Sequence, residues 1–471
     1  MKKTRIALIV DHPLRDLPGL ALIAKDLAQK NCEVFLVPMY NQERECLALA
    51  PDFVLLNYLR KNNEHFVHRL KKCGIQYGIN DTEGGFYGDL DYYGSVLSLD
   101  RDLNENVRCN LVWGQKMLDY LKSKPQWNHQ LKLTGLPRFD FYADKFKTVD
   151  LSPLIQMPKN KKLALINTKV ALANPLFVTV EKEIEIYKNK LGISEEKIQF
   201  FLKYGLLSIE DNVALSEWIG QNFPDWSVVI RPHPHENGRT YANKINSQFK
   251  NVSVHREGPV IPWILQSKAV LHRHCTTAIE AAIANIPAIS PTWVNTSANA
   301  PDAEDVSHKA HTQQELFELL QSAEKNQLTA SAEIQKSTQK IIDDWLYQVD
   351  GNSHIRVSDE ILQSLGSTKP RVSDCAKEVY NIFDHRTDLK GQLFTQFSRL
   401  SAVYPKPLWA IDQMRLKKWT ITQKYFTPKD LSDWINPVIA MEKSSAVQIS
   451  WAHEDDSYLE QYTGHSIRVT C

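Results

Sequence analysis

Two stretches in the second half of the chain close an apolar run with groups suited to oxyanions. Val228-Val229-Ile230 leads into Arg231-Pro232-His233-Pro234, and Ala269-Val270-Leu271 leads into His272-Arg273-His274-Cys275-Thr276-Thr277. Arginine offers a phosphate a bidentate fork. Histidine offers one hydrogen bond when neutral and a charge when protonated. The two prolines remove backbone donors and stiffen the turn around His233. Thr276 and Thr277 stand where a strand pattern gives way to the helical run Ala278–Ala284, a position that favours a threonine cap and leaves backbone N–H groups free for an anion. Glu280, one turn on, is spaced to accept from a ribose hydroxyl. The same Thr277-to-Glu280 spacing is also that of a capping box with no ligand. In the first half, Asn80-Asp81-Thr82-Glu83-Gly84-Gly85 follows the run Ile75–Ile79. Carboxylates at a strand end are acid–base candidates, and the glycines allow close backbone approach. A plain polar turn has the same composition.

Lesser candidates follow the same logic. Asn167 and Thr168 end the run Leu163–Ile166 and suit phosphate or sugar, or a capped turn. Asp11-His12-Pro13 ends Ile6–Val10 and would line an acceptor side. Thr134–Asp140 reads as a hinge-side turn with Arg138 paired to Asp140. Glu257-Gly258 marks a place for a nucleobase.

Such residues need a scaffold that brings strand ends to one edge. Ile6–Val10, Val34–Val37, Asp52–Asn57, Ile75–Ile79, Asn110–Trp113 and Lys132–Thr134 read as strands. The helical patterns Leu20–Lys30, Glu64–Lys72 and Lys116–Ser123 fall between them. Alternation of this kind implies βαβ units and a parallel sheet. Val149–Lys162, with Pro153 and Pro158, reads as a linker. A second series follows, with strands at Leu163–Ile166, Ser227–Arg231, Val252–Val254, Ala269–Leu271 and Pro287–Ser290. Helices are expected at Val178–Leu191 and Val213–Phe223, and mostly helix over 312–364. The reading is an α/β chain of two Rossmann-like, doubly wound domains facing a cleft, at 1–148 and 160–365. A helical extension over 366–471 is expected to cross back to the first domain. In such sheets ligands lie beyond the carboxyl ends of the strands.

Bulk properties narrow the partners. The 471 residues carry a net charge of +1, which argues against a large nucleic-acid surface. No stretch has the roughly 18 apolar residues of a membrane span, and the basic start reads as a first strand rather than a signal peptide. Seven scattered cysteines without ligand spacing fit a reducing cytoplasm and no metal site. The aromatic–basic run Trp409, Arg415, Lys417, Lys418, Trp419, Lys424, Tyr425, Phe426 suits peripheral contact with the inner face of an anionic membrane, or a solvated face. There is no GxxxxGK[ST] loop, no GxGxxG after the first strand and no GxSxG elbow, which excludes the P-loop, dinucleotide and hydrolase readings.

Taken in order, Glu83-Gly84, His233-Pro234 and Thr276-Thr277 resemble the acidic, HP and serine/threonine motifs of bacterial GT-B glycosyltransferases that use CMP-activated sugars, the sialyltransferases and Kdo transferases. Segments like Arg231–Pro234 and Cys275–Ala281 are also similar to those of bacterial surface-carbohydrate biosynthesis proteins. The resemblance covers about residues 1–365. It implies a metal-independent transferase with no resident cofactor, moving Kdo or a related acidic sugar from a CMP donor to a growing polysaccharide or glycolipid. It implies Glu83 or Asp81 as the catalytic carboxylate, because the motif's first acidic position holds Thr82. His233, Thr276 and Thr277 would hold the leaving phosphate, with Arg231, His272, Glu280, Asn167 and Thr168 around the nucleotide. A UDP- or GDP-sugar donor, a CDP-polyol phosphotransferase and a non-catalytic sugar-binding protein are the alternatives.

Overall fold

Fully apolar strands bounded by polar turns can be buried on both faces only inside a parallel sheet covered by helices. The computed structural model, which describes residues 3–156, 158, 162–189, 192–384, 424–454 and 456–471, contains two such sheets. The first unit comprises 1–150 and 342–471, the second 151–341. Part of the expected linker (157 and 159–161) and most of the aromatic–basic run (409–423) lie outside the described residues.

The first sheet uses β1 (Thr4–Val10), β2 (Cys32–Pro38), β3 (Phe53–Leu56), β4 (Gln76–Asn80), β5 (Asn110–Val112) and β6 (Leu131–Leu133). The second uses β7 (Lys162–Asn167), β8 (Trp226–Arg231), β9 (Val252–Val254), β10 (Ala269–His272), β11 (Ala288–Pro291) and β12 (His308–Ala310). Two late strands, β13 (Gln448–Trp451) and β14 (Ile467–Thr470), extend the first sheet. Its order is β13-β14-β2-β1-β3-β4-β5-β6, and that of the second is β12-β11-β10-β7-β8-β9. Pairing is parallel from β2 to β6 and throughout the second sheet. The strand order reverses between β1 and β3 in the first sheet and between β7 and β10 in the second. In doubly wound folds these reversals open a ligand crevice at the carboxyl edge.

Three expectations meet a different structure. The chain rejoins the first unit at Ile342, not after 365. The last residues are not purely helical, since β14 pairs antiparallel with β2 through Ile467↔Leu36 and Val469↔Val34. Buried Ile467 and Val469 alternate there with partly exposed Arg468 and Thr470, a period of two that a helical reading overlooks. The helix expected over Val213–Phe223 runs the 28 residues Glu195–Asn222. Phe200, Leu206 and Leu207 are exposed in its first half, which therefore shows no one-sided apolar stripe.

Arg138 and Asp140 do not pair. Asp140 is buried and accepts from Ser353 N (3.0 Å), His354 N (2.9 Å) and His354 Nδ1 (2.7 Å), satisfying the first turn of the helix Ser353–Ser364. Replacing Asp140 by alanine orphans three buried donors. At ~1–3 kcal/mol for each unsatisfied group, Asp140→Ala is expected to destabilise the first unit by at least ~2 kcal/mol, read as loss of amide-exchange protection over 353–361.

Candidate functional site

The candidates of the first unit gather at the carboxyl ends of β1, β3 and β4. Arg15, in the first turn of the helix Pro13–Gln29, donates to Asp11 (2.7 Å), Asp16 (2.6 Å), Glu83 (2.9 Å) and Thr82 Oγ1 (3.1 Å). Arg60, beyond β3, donates to Glu83 (2.9 Å) and Asp81 (3.2 Å) and lies 4.5 Å from the centre of the Tyr58 ring. Lys424, at the described end of the aromatic–basic run, pairs with Asp11 at 2.9 Å.

This network separates the two candidate carboxylates. Asp81 is walled in, accepting from Arg60, the Glu83 N–H (2.9 Å) and the Tyr93 hydroxyl (3.1 Å). Burial pushes its carboxyl up, and Arg60 offsets only part of that. Burial also pushes Glu83 up, but Arg15 and Arg60 outweigh it and hold Glu83 below the usual range. The Glu83 side chain is 42% exposed against 8% for Asp81, so Glu83 is the more open of the two. Gly85 lets this loop lie on an indole face, since a Cβ there would stand 2.4 Å from Trp113 Cε3. His12, next to Asp11, is a second proton acceptor at the same edge. Burial, with Lys424 adding, drives its imidazole down to about 4, and its buried Nδ1 meets no partner among the described residues.

In the second unit, Asn167 ends β7 and Thr277 opens the helix Thr277–Ile283 after β10. Asn167 Nδ2 donates to Thr277 Oγ1 at 2.9 Å, directly across the reversal of strand order. Thr277 also donates to Cys275 Sγ at 3.1 Å, and Thr276, the N-cap, is exposed with no side-chain cap bond. The capping-box alternative is therefore not formed, because the helix starts one residue earlier than that spacing requires. Glu280 is half-buried in the first turn. His233 is half-buried beyond β8 and accepts from the His235 N–H at 3.3 Å.

Two expected nucleotide contacts face inward. Arg231 spends its fork on the carbonyls of Glu257 (3.0 Å) and Gly258 (2.6 Å), and burial lowers it to about 10. Arg231 thus shapes the loop after β9, with both ends of its fork engaged by those carbonyls. His272 is 2% exposed, bonded to Ser307 Oγ at 2.7 Å, and lowered by burial to about 4. It braces the end of β10 as a neutral ring.

Sequence reasoning passed over the acids that hold these loops. Glu236 is fully buried and accepts from Thr168 Oγ1 (2.7 Å), Val170 N (2.7 Å) and Tyr241 Oη (2.9 Å). It ties the loop carrying Thr168 to the loop carrying His233. Glu304 accepts from His274 N (2.9 Å) and Ser290 Oγ (2.7 Å), steadying His274 at φ +52°. An acid two residues past Pro234 was a visible signal for Glu236. Nothing in the sequence marked Arg60 or Glu304, whose partners are remote in the chain, or tied Arg15 to Glu83 and Thr82 as well as to its neighbours Asp11 and Asp16.

A cavity of about 500 Å³ in the first unit lies at the opposite, amino end of the strands, lined by Gln76, Arg108, Lys132 and Glu360. Its polar groups are closed on one another, with Arg108 on Ser364 O (2.9 Å), Lys132 on Glu360 (3.1 Å) and Gln76 on Thr368 O (2.9 Å). The carboxyl edges, where the chemistry-bearing groups gather, are the better site.

No family model matches the chain, and no curated protein matches it. Among solved structures it is similar to the wall teichoic acid polymerase TagF, at TM-score 0.48 and 12% identity over 77% of this chain and 89% of that one. It is also similar to UDP-GlcNAc 2-epimerase from Neisseria meningitidis bound to UDP-GlcNAc, at 0.45 and 14% over 76% and 100%. A third is S. aureus MnaA with UDP, at 0.45 and 14% over 78% and 99%. The fold assignment, two Rossmann-like parallel α/β sheets of the GT-B kind, rests on this chain's own strand order and register. No helix among the described residues is long and apolar enough to cross a membrane.

Proposed function

We propose that the chain is a glycosyltransferase of surface-carbohydrate assembly, with a nucleotide-sugar donor on the second unit and an acceptor on the first. The observation that carries this reading is the Asn167–Thr277 hydrogen bond of 2.9 Å at the β7/β10 reversal. It sets two polar side chains at the place where doubly wound sheets take nucleotides. Asn167, Thr168, Thr276, Thr277 and His233 are the groups proposed to hold the donor phosphate. Glu83 takes the proton of the acceptor hydroxyl as its oxygen bonds to the anomeric carbon. The bond from that carbon to the phosphate oxygen breaks, and the electron pair leaves with the nucleotide. Donors aimed at that oxygen offset its growing charge.

The donor is proposed to be CMP-linked, on the motif order read from the sequence. A thermal-shift screen of the full chain against CMP, UDP, GDP and CDP tests it. A ligand at a hundred times its Kd adds about 2.7 kcal/mol to the folded state, so CMP is expected to raise the transition by several degrees and Thr277→Val to remove most of the rise. A response to UDP or GDP without CMP moves the donor to that nucleotide. A response to CDP alone favours a polyol-phosphate transfer. No response to any of the four rejects the transferase reading and leaves a sugar-binding protein.

A further inference from the structure

We infer that the first unit carries an oxyanion subsite built from Arg138, Trp113 and Asn80, which selects an acidic sugar. The label "acceptor" for that sugar rests on the glycosyl-transfer reading; the subsite itself does not.

The described cations near Glu83 are otherwise committed. Arg15, Arg60 and Lys424 are each held by carboxylates. Arg138 is the exception. Its guanidinium lies over the rings of Trp113 (5.8 Å) and Phe139 (5.3 Å), and its buried Nε has no partner among the described residues. Asp140, the carboxylate nearest in sequence, is consumed by Ser353 and His354. Two neighbouring strand ends show the same incompleteness. Trp113, directly after β5, is 3% exposed with Nε1 unpartnered, and Asn80, the last residue of β4, is 6% exposed with Oδ1 unpartnered. Asn80 and Arg138 line one small cavity with Arg15 and Thr82.

A buried polar group without a partner is costly, and three of them, at the ends of β4 and β5 and in the turn Pro137–Tyr142 that follows β6, specify a ligand by what they lack. The guanidinium fork matches a phosphate or a carboxylate. The indole can only donate, which also demands an acceptor. The Asn80 amide oxygen needs a donor, which a sugar hydroxyl supplies. An oxyanion and a hydroxyl on one small molecule describe a sugar phosphate or a uronic acid, and not a neutral hexose.

The test is a titration of the full ¹⁵N-labelled chain, following the Trp113 indole resonance assigned through Trp113→Phe. The probes are glucose 6-phosphate, glucuronate and glucose. Glucose 6-phosphate or glucuronate is expected to shift that resonance saturably, and glucose at equal concentration to leave it in place. The acid that binds tighter tells phosphate from carboxylate. Arg138→Gln is expected to weaken the response at least tenfold, and Arg138→Lys, which keeps charge but not the fork, to weaken it less. The other indole resonances report whether each variant is folded, and Arg138→Lys serves alone if the glutamine variant is not. The inference is overturned by the absence of a saturable shift with either acid, by an equal response to glucose, or by an undiminished response in both variants. Nucleotide thermal shifts on the same samples keep the two readings apart. Oxyanion failure with CMP binding intact sinks the subsite alone, whereas nucleotide failure leaves the titration readable.

Discussion

Glu83→Gln is expected to lower glycosyl transfer by roughly two to four orders of magnitude, the usual worth of a positioned general base, with nucleotide-induced thermal stabilisation unchanged. Glutamine keeps the shape, and its single amide oxygen can still accept from one of the two arginines that bond separate oxygens of Glu83, so the loop should largely hold while the proton acceptor is lost. The two arginines give the prediction its pH signature. They keep Glu83 below the ordinary carboxylate range, so wild-type activity should be flat on the acid side down to below about 4.5, that group's ordinary value. Arg60→Gln removes one of them and leaves burial to act. The Glu83 pKa then rises and the acid limb moves to higher pH. A limb that stays put in Arg60→Gln, or full turnover in Glu83→Gln, removes Glu83 from the role. His12, with its unpartnered Nδ1 at the same edge, is then the residue to replace, and His12→Gln should carry the loss instead.

The second large effect is structural. Glu236→Ala leaves the Thr168 hydroxyl, the Val170 N–H and the Tyr241 hydroxyl without their acceptor inside the second unit. At ~1–3 kcal/mol for each orphaned group, the loss is expected to reach about 3 kcal/mol. Amide protection should fall over 168–174 and 233–241 together, because this one side chain joins the two loops, and nucleotide binding should weaken with it. Glu236→Gln should cost far less. The two hydroxyls sit on one oxygen and can turn to accept from an amide, while the other oxygen still takes the Val170 N–H.

The sign of its pH dependence follows from burial, which raises the Glu236 pKa despite these bonds. The folded unit therefore binds the proton more tightly than the unfolded chain. Wild-type stability should fall as pH rises above the ordinary value of about 4.5 through the raised one, and the glutamine variant should lack that slope. Independent loss of protection in only one of the two loops would show that Glu236 does not couple them.

Most of the scaffold was legible because its signals are local. Apolar runs such as Val228–Ile230 and Ala269–Leu271 are buried β8 and β10, and the helix read at Glu64–Lys72 is formed over those residues. The late strands were not legible in the same way. Residues 467–470 pair with β2, more than four hundred positions away, and residues 448–451 join the sheet only through them; pairing at that distance leaves no mark in a four-residue window. The same limit applies to the domain boundary, since the return of the chain at Ile342 depends on contacts with the first 150 residues.

Two parallel α/β series, with Glu83, His233, Thr276 and Thr277 just beyond their strands, can be read along the chain alone. Local pattern suffices for that, because strand and helix periods and turn residues act over a few positions. Which of those side chains face outward was decided only in three dimensions. Arg231 and His272 turned inward because a carbonyl pair and a serine, distant in the chain, were nearer than solvent. Glu83 and not Asp81 became the open carboxylate because Arg60 and Tyr93 closed over the latter. Arg138 kept its charge uncommitted because Asp140, two residues along, was taken by the helix Ser353–Ser364. Hydrogen bonds between remote residues settle the direction of a charged side chain, and a sequence read along its length does not contain them.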